Sequence, residues 1–175
     1  APVAEDLRRV HPLVRHTNVL LKALDASPGQ RWGAAYSSPR LGVEVKRRNR
    51  RRALIWLNAF ITTAEQCGFV VELYEQFSGW SKLRFGTVCL ALRLADDDHG
   101  TEPLDSQSQE TARSGARLIL RVQHAHYLAG HQRIWKDGKK RQLEDQIQTI
   151  LETLLTVTEG IRLGDIERAK ARARA

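Results

Sequence analysis

At 175 residues the chain has the usual size of one domain, long enough to bury a continuous apolar core without disulfides or a structural metal. Its 28 Lys and Arg against 20 Asp and Glu give a net charge of +8 and a pI near 10.0, a balance that favours polyanion partners and is silent about fold. Two cysteines exclude a disulfide scaffold, and no apolar stretch approaches the roughly 20 residues of a membrane span.

Cys67 and Cys89 each lie in an apolar run, AEQCGFVV and GTVCLALRL, and read as reduced, buried core thiols. The first residues lack the charged and apolar regions of a signal peptide, so a soluble, cytoplasmic protein is expected. With no methionine anywhere, a fragment of a longer protein is expected as well.

In chain order, His11 to Leu24 predicts an amphipathic helix, with Leu13, Leu20, Leu21 and Leu24 on one face and Pro12 in the first turn, where its missing N–H costs nothing. Residues 27–39 collect Ser, Pro and Gly and predict a loop pinned by Trp32 and Tyr36. LGVEVK at 41–46 alternates like a short strand. Arg50 to Cys67 predicts a second helix on Leu54, Leu57, Ile61 and Ala64, stopped by Gly68.

FVVELYEQF at 69–77 is β-rich, and Ser78-Gly79-Trp80 offers a turn. From Lys82 to Ala95 the alternation changes phase: Leu83 and Phe85 are odd, whereas Val88, Leu90, Leu92 and Leu94 are even. A bulge or tight bend at Gly86 would restore one buried face. Residues 96–115 carry almost no large apolar side chains and predict a mobile acidic loop. RLILRVQ at 117–123 predicts the last strand. From Lys139 onward Leu143, Ile147, Ile150, Leu154, Val157 and Ile161 trace a long helix, with Asp137 as its expected N-cap. The order α-β-α-β-β-β-α predicts one α+β domain, a small antiparallel sheet of about four strands covered by helices on one face. There is no internal repeat.

Among residues that carry chemistry, Lys46, Arg47, Arg48, Arg50, Arg51 and Arg52 stand out, six cations in seven positions around Asn49. Positive charge at a helix N-terminus opposes the macrodipole by about 0.3–1 kcal/mol per group, so the run works against its own helix. The same helix end, with its N–H groups, suits phosphate, and a run this dense marks a nucleic-acid patch or else a solvated turn. Lys136, Lys139, Lys140 and Arg141 form a second basic group beside Trp135. An exposed Trp135 would stack on a base, but the area a Trp buries favours a core anchor.

Other constellations are weaker. His124, His126 and His131 are compatible with a three-histidine metal site, yet no ligand spacing supports one, and ordinary loop histidines are expected. Glu44-Val45-Lys46, with Asp25 upstream, is similar to the acid and Glu-x-Lys set of magnesium-dependent nucleases, but no second strand-borne carboxylate can be placed. Asp96, Asp97 and Asp98 read as a solvated loop triplet. Phosphate-cradling glycine loops, a Gly-x-Ser-x-Gly elbow and Cys-x-x-Cys pairs are absent. No catalytic residue, metal or cofactor is therefore assigned.

Three segments in order, VHPLVRHTNVLLKAL, LGVEVKRRNRRRALIWLNAFITTAEQCGF and RIWKDGKKRQLEDQIQTILETLL, resemble the C-terminal region of a group of bacterial proteins of unassigned function that carry an N-terminal helix-turn-helix. The strongest point is WKDGKKRQLED at 135–145, and the acidic stretch at 96–115 has no counterpart. The helix-turn-helix lies outside these residues, so its DNA-reading role transfers to none of them. The resemblance implies a companion domain in a DNA-associated, regulatory protein.

The expected function is thus non-enzymatic: an accessory or assembly domain that contacts DNA backbone without sequence preference through the basic residues above. The competing class is a dimerisation or effector-sensing domain without DNA contact, and a nuclease is third. The C-terminal helix offers a homodimer surface, because Leu151 and Leu155 widen its apolar stripe; a stripe wholly covered by the sheet is the equal alternative.

Overall fold

The computed structural model describes residues 10–26, 38–73, 79–97, 117–123 and 133–174. The expected loop anchors Trp32 and Tyr36, the far end of the 69–77 strand, the acidic stretch from Asp98 and the three histidines at 124, 126 and 131 lie outside the described residues.

Helix α1 (Pro12–Ala26) begins at the proline, and buries Val14, Thr17 and Leu21, one stripe at helical spacing. Thr17 is polar yet fully buried, because its Oγ1 accepts the Leu41 amide at 3.0 Å and so ties α1 to the segment entering the sheet. The His11 amide donates to Asn58 Oδ1 at 2.7 Å, fixing the start of α1 on the second helix.

Helix α2 (Arg50–Gln66) follows a short 3-10 turn at Arg47–Asn49. Two stripes of α2 are buried: Leu54, Leu57, Ile61 and Ala64 on one flank, Trp56 and Phe60 on the other, the two rings stacked 5.0 Å apart. It stops where the spacing predicts. Gly68 adopts φ +87°, which only glycine takes without strain, and the Gly68 and Phe69 amides donate back to Glu65 and Ala64 carbonyls.

Six strands form one sheet: β1 (Val43–Glu44), β2 (Val70–Leu73), β3 (Ser81–Phe85), β4 (Val88–Asp96), β5 (Leu118–Gln123) and β6 (Ile134–Lys136). The order is β2-β3-β4-β5-β6, antiparallel throughout, with β1 added parallel to the end of β4 at Leu94 and Ala95. The α+β class holds with more strands than the four expected. The change of phase at Gly86 is not a bulge in one strand but a hairpin turn between two: Phe85 pairs with Val88 and Leu83 with Leu90, so an odd and an even series fall on the same face. Strand β6 has three residues, of which only Trp135 faces inward, too few for a periodicity to show in sequence.

The inner face of the sheet, from Leu83, Leu90 and Leu94 to Leu118, Leu120 and Trp135, joins the buried stripes of all three helices in one apolar core. The outer face carries Lys82, Arg84, Arg93, Arg121 and Lys136, placed there by register, with Glu72 holding Lys82 and Arg84. Cys89 also points outward, opposite Arg84, and neither cysteine is fully buried as expected: both are half-buried, unpaired thiols.

Helix α3 (Ile147–Arg174) is preceded by a 3-10 turn at Leu143–Gln146. Asp137 is not its N-cap. Gln142 caps the 3-10 turn that leads into α3, its amide donating to Asp145 Oδ2 at 3.1 Å, while Asp137 reaches the Leu143 amide from five residues further upstream. The helix buries Ile147, Ile150, Leu151, Leu154, Val157, Thr158 and Ile161, and Leu155 packs against the same core. Its wide stripe is therefore consumed within the chain, and Leu151 is unavailable to a second copy. From Arg162 to Arg174 nothing is buried, and Leu163 and Ile166 are exposed.

Candidate nucleic-acid interface

Two buried carboxylates organise the basic residues. Asp96, at the end of β4, is 2% exposed; its Oδ2 accepts the Lys46 amide at 2.6 Å and its Oδ1 accepts the Asn49 side-chain amide. Both ends of the 3-10 turn that carries Arg47 and Arg48 are thereby held to the sheet. The expectation of a solvated Asp96–Asp98 triplet is corrected at its first member: Asp96 continues the alternation of β4, opposite Leu118, and is buried with its hydrogen bonds satisfied.

The second carboxylate is Asp137, just beyond β6 and 6% exposed. It accepts the Leu118 amide and the Leu143 amide, each at 2.7 Å. It also takes a two-pronged contact from Arg52, at 2.6 and 2.9 Å. The same guanidinium grips Glu144 at 2.7 and 2.6 Å. Burial alone would raise the Asp137 pKa, but Arg52 and the two amides hold it below the ordinary carboxylate range. The Arg52 pKa is raised, first by its hydrogen bond to Glu144, so the cation is permanent.

Arg52, expected as a nucleic-acid contact, is thus engaged internally as a clamp between α2 and the start of α3. Arg50 is also engaged internally: its side chain is 13% exposed and donates to both oxygens of Asp25 in α1, at 2.5 and 3.0 Å. A helical signal for both was present. Arg52 precedes the buried Trp56 and Phe60 at spacings of four, and Arg50 precedes Leu54, Leu57 and Ile61. Arg51 falls between the two stripes and is exposed, as are Lys46, Arg47 and Arg48 on the turn.

In the second basic group Lys136, Lys139, Lys140 and Arg141 are all exposed. Arg141 donates to the Asp145 carbonyl and Thr149 Oγ1, at 3.3 and 3.0 Å, and so leans along α3. Trp135 is 2% exposed and belongs to the core, which leaves it unable to stack on a base. Because Asp137 bonds Arg52 on one side and Leu118 on the other, and Leu118 lies opposite Asp96, the two basic groups meet at the same end of the sheet.

Beside the turn, α1 and the start of α2 enclose a cleft of about 310 Å³ walled by Asn18, Lys22 and Asp25 on one side and Arg47, Arg50 and Arg51 on the other. Sequence reasoning missed Lys22, because nothing in its local pattern points toward residues two dozen positions later. Glu44 does not join Asp25 in an acidic pair. It ion-pairs with Arg93, whose guanidinium lies 5.7 Å from the Trp80 ring. Among the described residues no three His, Cys, Asp or Glu side chains are grouped to hold a metal ion. No described helix is long and apolar enough to cross a membrane.

Comparison with known proteins returns no match: no family model, curated protein or solved structure is similar to this chain.

Proposed function

We propose that the chain is a non-enzymatic accessory domain of a bacterial DNA-binding, regulatory protein, and that it contacts the phosphate backbone through one composite basic surface. The observation that carries this reading is the joint at Arg52, Asp137 and Glu144, which sets two basic groups 85 residues apart in sequence at one end of the sheet. The working contacts are Lys46, Arg47, Arg48 and Arg51 with Lys136, Lys139, Lys140 and Arg141. Arg50 and Arg52 hold the surface in shape. Eight exposed cations on neighbouring elements create a field that concentrates a polyanion and carries no base-reading geometry, so binding is backbone-directed and without sequence preference.

Assembly is the competing reading, and one observation favours it: Leu163 and Ile166 are exposed on the part of α3 that leaves the core. A salt titration of duplex binding separates the two. Under the DNA reading log K falls linearly with log salt, by about 0.9 per phosphate neutralised, and Arg47→Ala, Arg48→Ala and Arg51→Ala together lower the slope by about one unit for each phosphate that no longer meets a cation. Binding with no salt dependence, or none at low salt, rejects it.

A further inference from the structure

A carboxylate in the middle of a cationic cleft is an arrangement that needs a reason. Lys22 and Asn18 face Arg47, Arg50 and Arg51 across about 310 Å³, and Asp25 is the single acidic side chain of the lining. Asp25 sits as an oxyanion would: both its oxygens accept from Arg50, and Arg47 Nε stands 3.8 Å from one of them. Lys22, Arg47, Arg50 and Arg51 make the rest of the charged lining cationic.

Arg50 makes this arrangement costly. Its side chain is 13% exposed, and its Nε is buried without an acceptor among the described residues. An under-coordinated guanidinium in partial isolation from water gains more from a multivalent oxyanion than an exposed one does. Lys22 and Arg47, both exposed, line the same cleft. The start of α2, preceded by a 3-10 turn with no acidic residue, adds the positive end of the helix dipole to the same side.

We propose that this cleft binds a phosphate group, and that Asp25 is its internal competitor, occupying the Arg50 fork until a phosphate oxygen displaces it. The inference rests on the reading that the basic turn engages phosphate, and it adds a discrete seat, with Lys22 and Asn18 as residues outside the basic run. A phosphate oxygen takes over the two Arg50 donors, and the released carboxylate turns to solvent at the mouth, where Asp25 already has 31% of its side chain.

Inorganic phosphate titrated into the 175-residue chain at low salt and near-neutral pH tests this, read by calorimetry and by the shift in melting temperature, with chloride at equal ionic strength as the control. Wild type is expected to bind phosphate and not chloride. Asp25→Asn, which removes the competitor and keeps its shape, is expected to tighten binding about fivefold, equivalent to about 1 kcal/mol. Lys22→Ala, on an exposed residue whose loss spares the core, is expected to weaken it by a similar factor. If Asp25→Asn proves unfolded by circular dichroism, Lys22→Ala carries the test alone. The same variants assayed on duplex DNA identify the source: parallel changes assign the seat to a backbone phosphate, and unchanged DNA binding assigns it to a small phosphate-bearing molecule. Phosphate no better than chloride, or binding indifferent to both substitutions, overturns the cleft. DNA affinity that still falls with Arg48→Ala and Lys139→Ala would then leave the backbone reading standing by itself.

Discussion

Arg52 in α2 and Asp137 beyond β6, 85 residues apart, meet in a two-pronged contact at 2.6 and 2.9 Å, and the same carboxylate closes the amides of Leu118 and Leu143. One side chain thereby joins a helix, the start of a strand and the turn into α3. Asp137→Ala is expected to cost about 3 kcal/mol, since it strands two buried amides and half of a guanidinium's partners. Arg52→Ala should cost less, because Asp137 keeps the Leu118 and Leu143 amides and Glu144 is half-buried and can reach water. Urea denaturation of both variants measures the difference, and a cost below about 0.5 kcal/mol for Asp137→Ala would remove the joint from the fold's supports.

Acid should act through the same residue. The Asp137 pKa is lowered in the folded chain, so its contribution to stability is present above the unfolded carboxylate value of about 3.9 and is lost as pH falls through the folded value. Wild type should therefore lose stability steeply below about pH 4. Asp137→Asn should begin less stable and show a shallower decline. Urea midpoints recorded from neutral pH to strong acid check this, and parallel curves for the two proteins would refute it.

Leu151 and Leu163 lie on one helix with opposite fates, 1% and 55% exposed. Leu151→Glu buries an unpaired carboxylate and is expected to unfold the domain or cost several kcal/mol. Leu163→Glu should leave the far-ultraviolet circular dichroism and the melting temperature nearly unchanged. Sedimentation of wild type and Leu163→Glu then reads assembly without confusing it with folding. A folded Leu151→Glu chain would contradict the packing of α3.

Gly42 allows no side chain. A Cβ there would stand 2.6 Å from the Gly79 carbonyl oxygen, 2.7 Å from that of Leu92 and 2.7 Å from the Trp80 Cα, all backbone atoms. The Gly42 amide also donates to Ser81 Oγ at 2.8 Å, and its carbonyl accepts from Leu94 at 2.7 Å. Gly42→Ala should cost about 1–3 kcal/mol by forcing β1 away from β4. A melting temperature within error of wild type would show that β1 is not tightly seated.

Local pattern determined much of this molecule. The apolar spacing of Leu13 to Leu24 and of Leu54 to Ala64, the stop at Gly68 and the phase change around Gly86 are consequences of helix and strand periods, which act over a few residues. They determined the helices, the α+β class and the density of charge at Lys46 to Arg52. What only the tertiary structure decided is what each charge does. Arg48, Arg50 and Arg52 are the same residue type within five positions, yet one is exposed, one holds Asp25 and one holds Asp137 and Glu144. Their partners come from α1 and from the approach to α3. Such pairings follow from how the chain closes on itself, and Coulomb attraction between distant residues leaves no periodic trace in sequence.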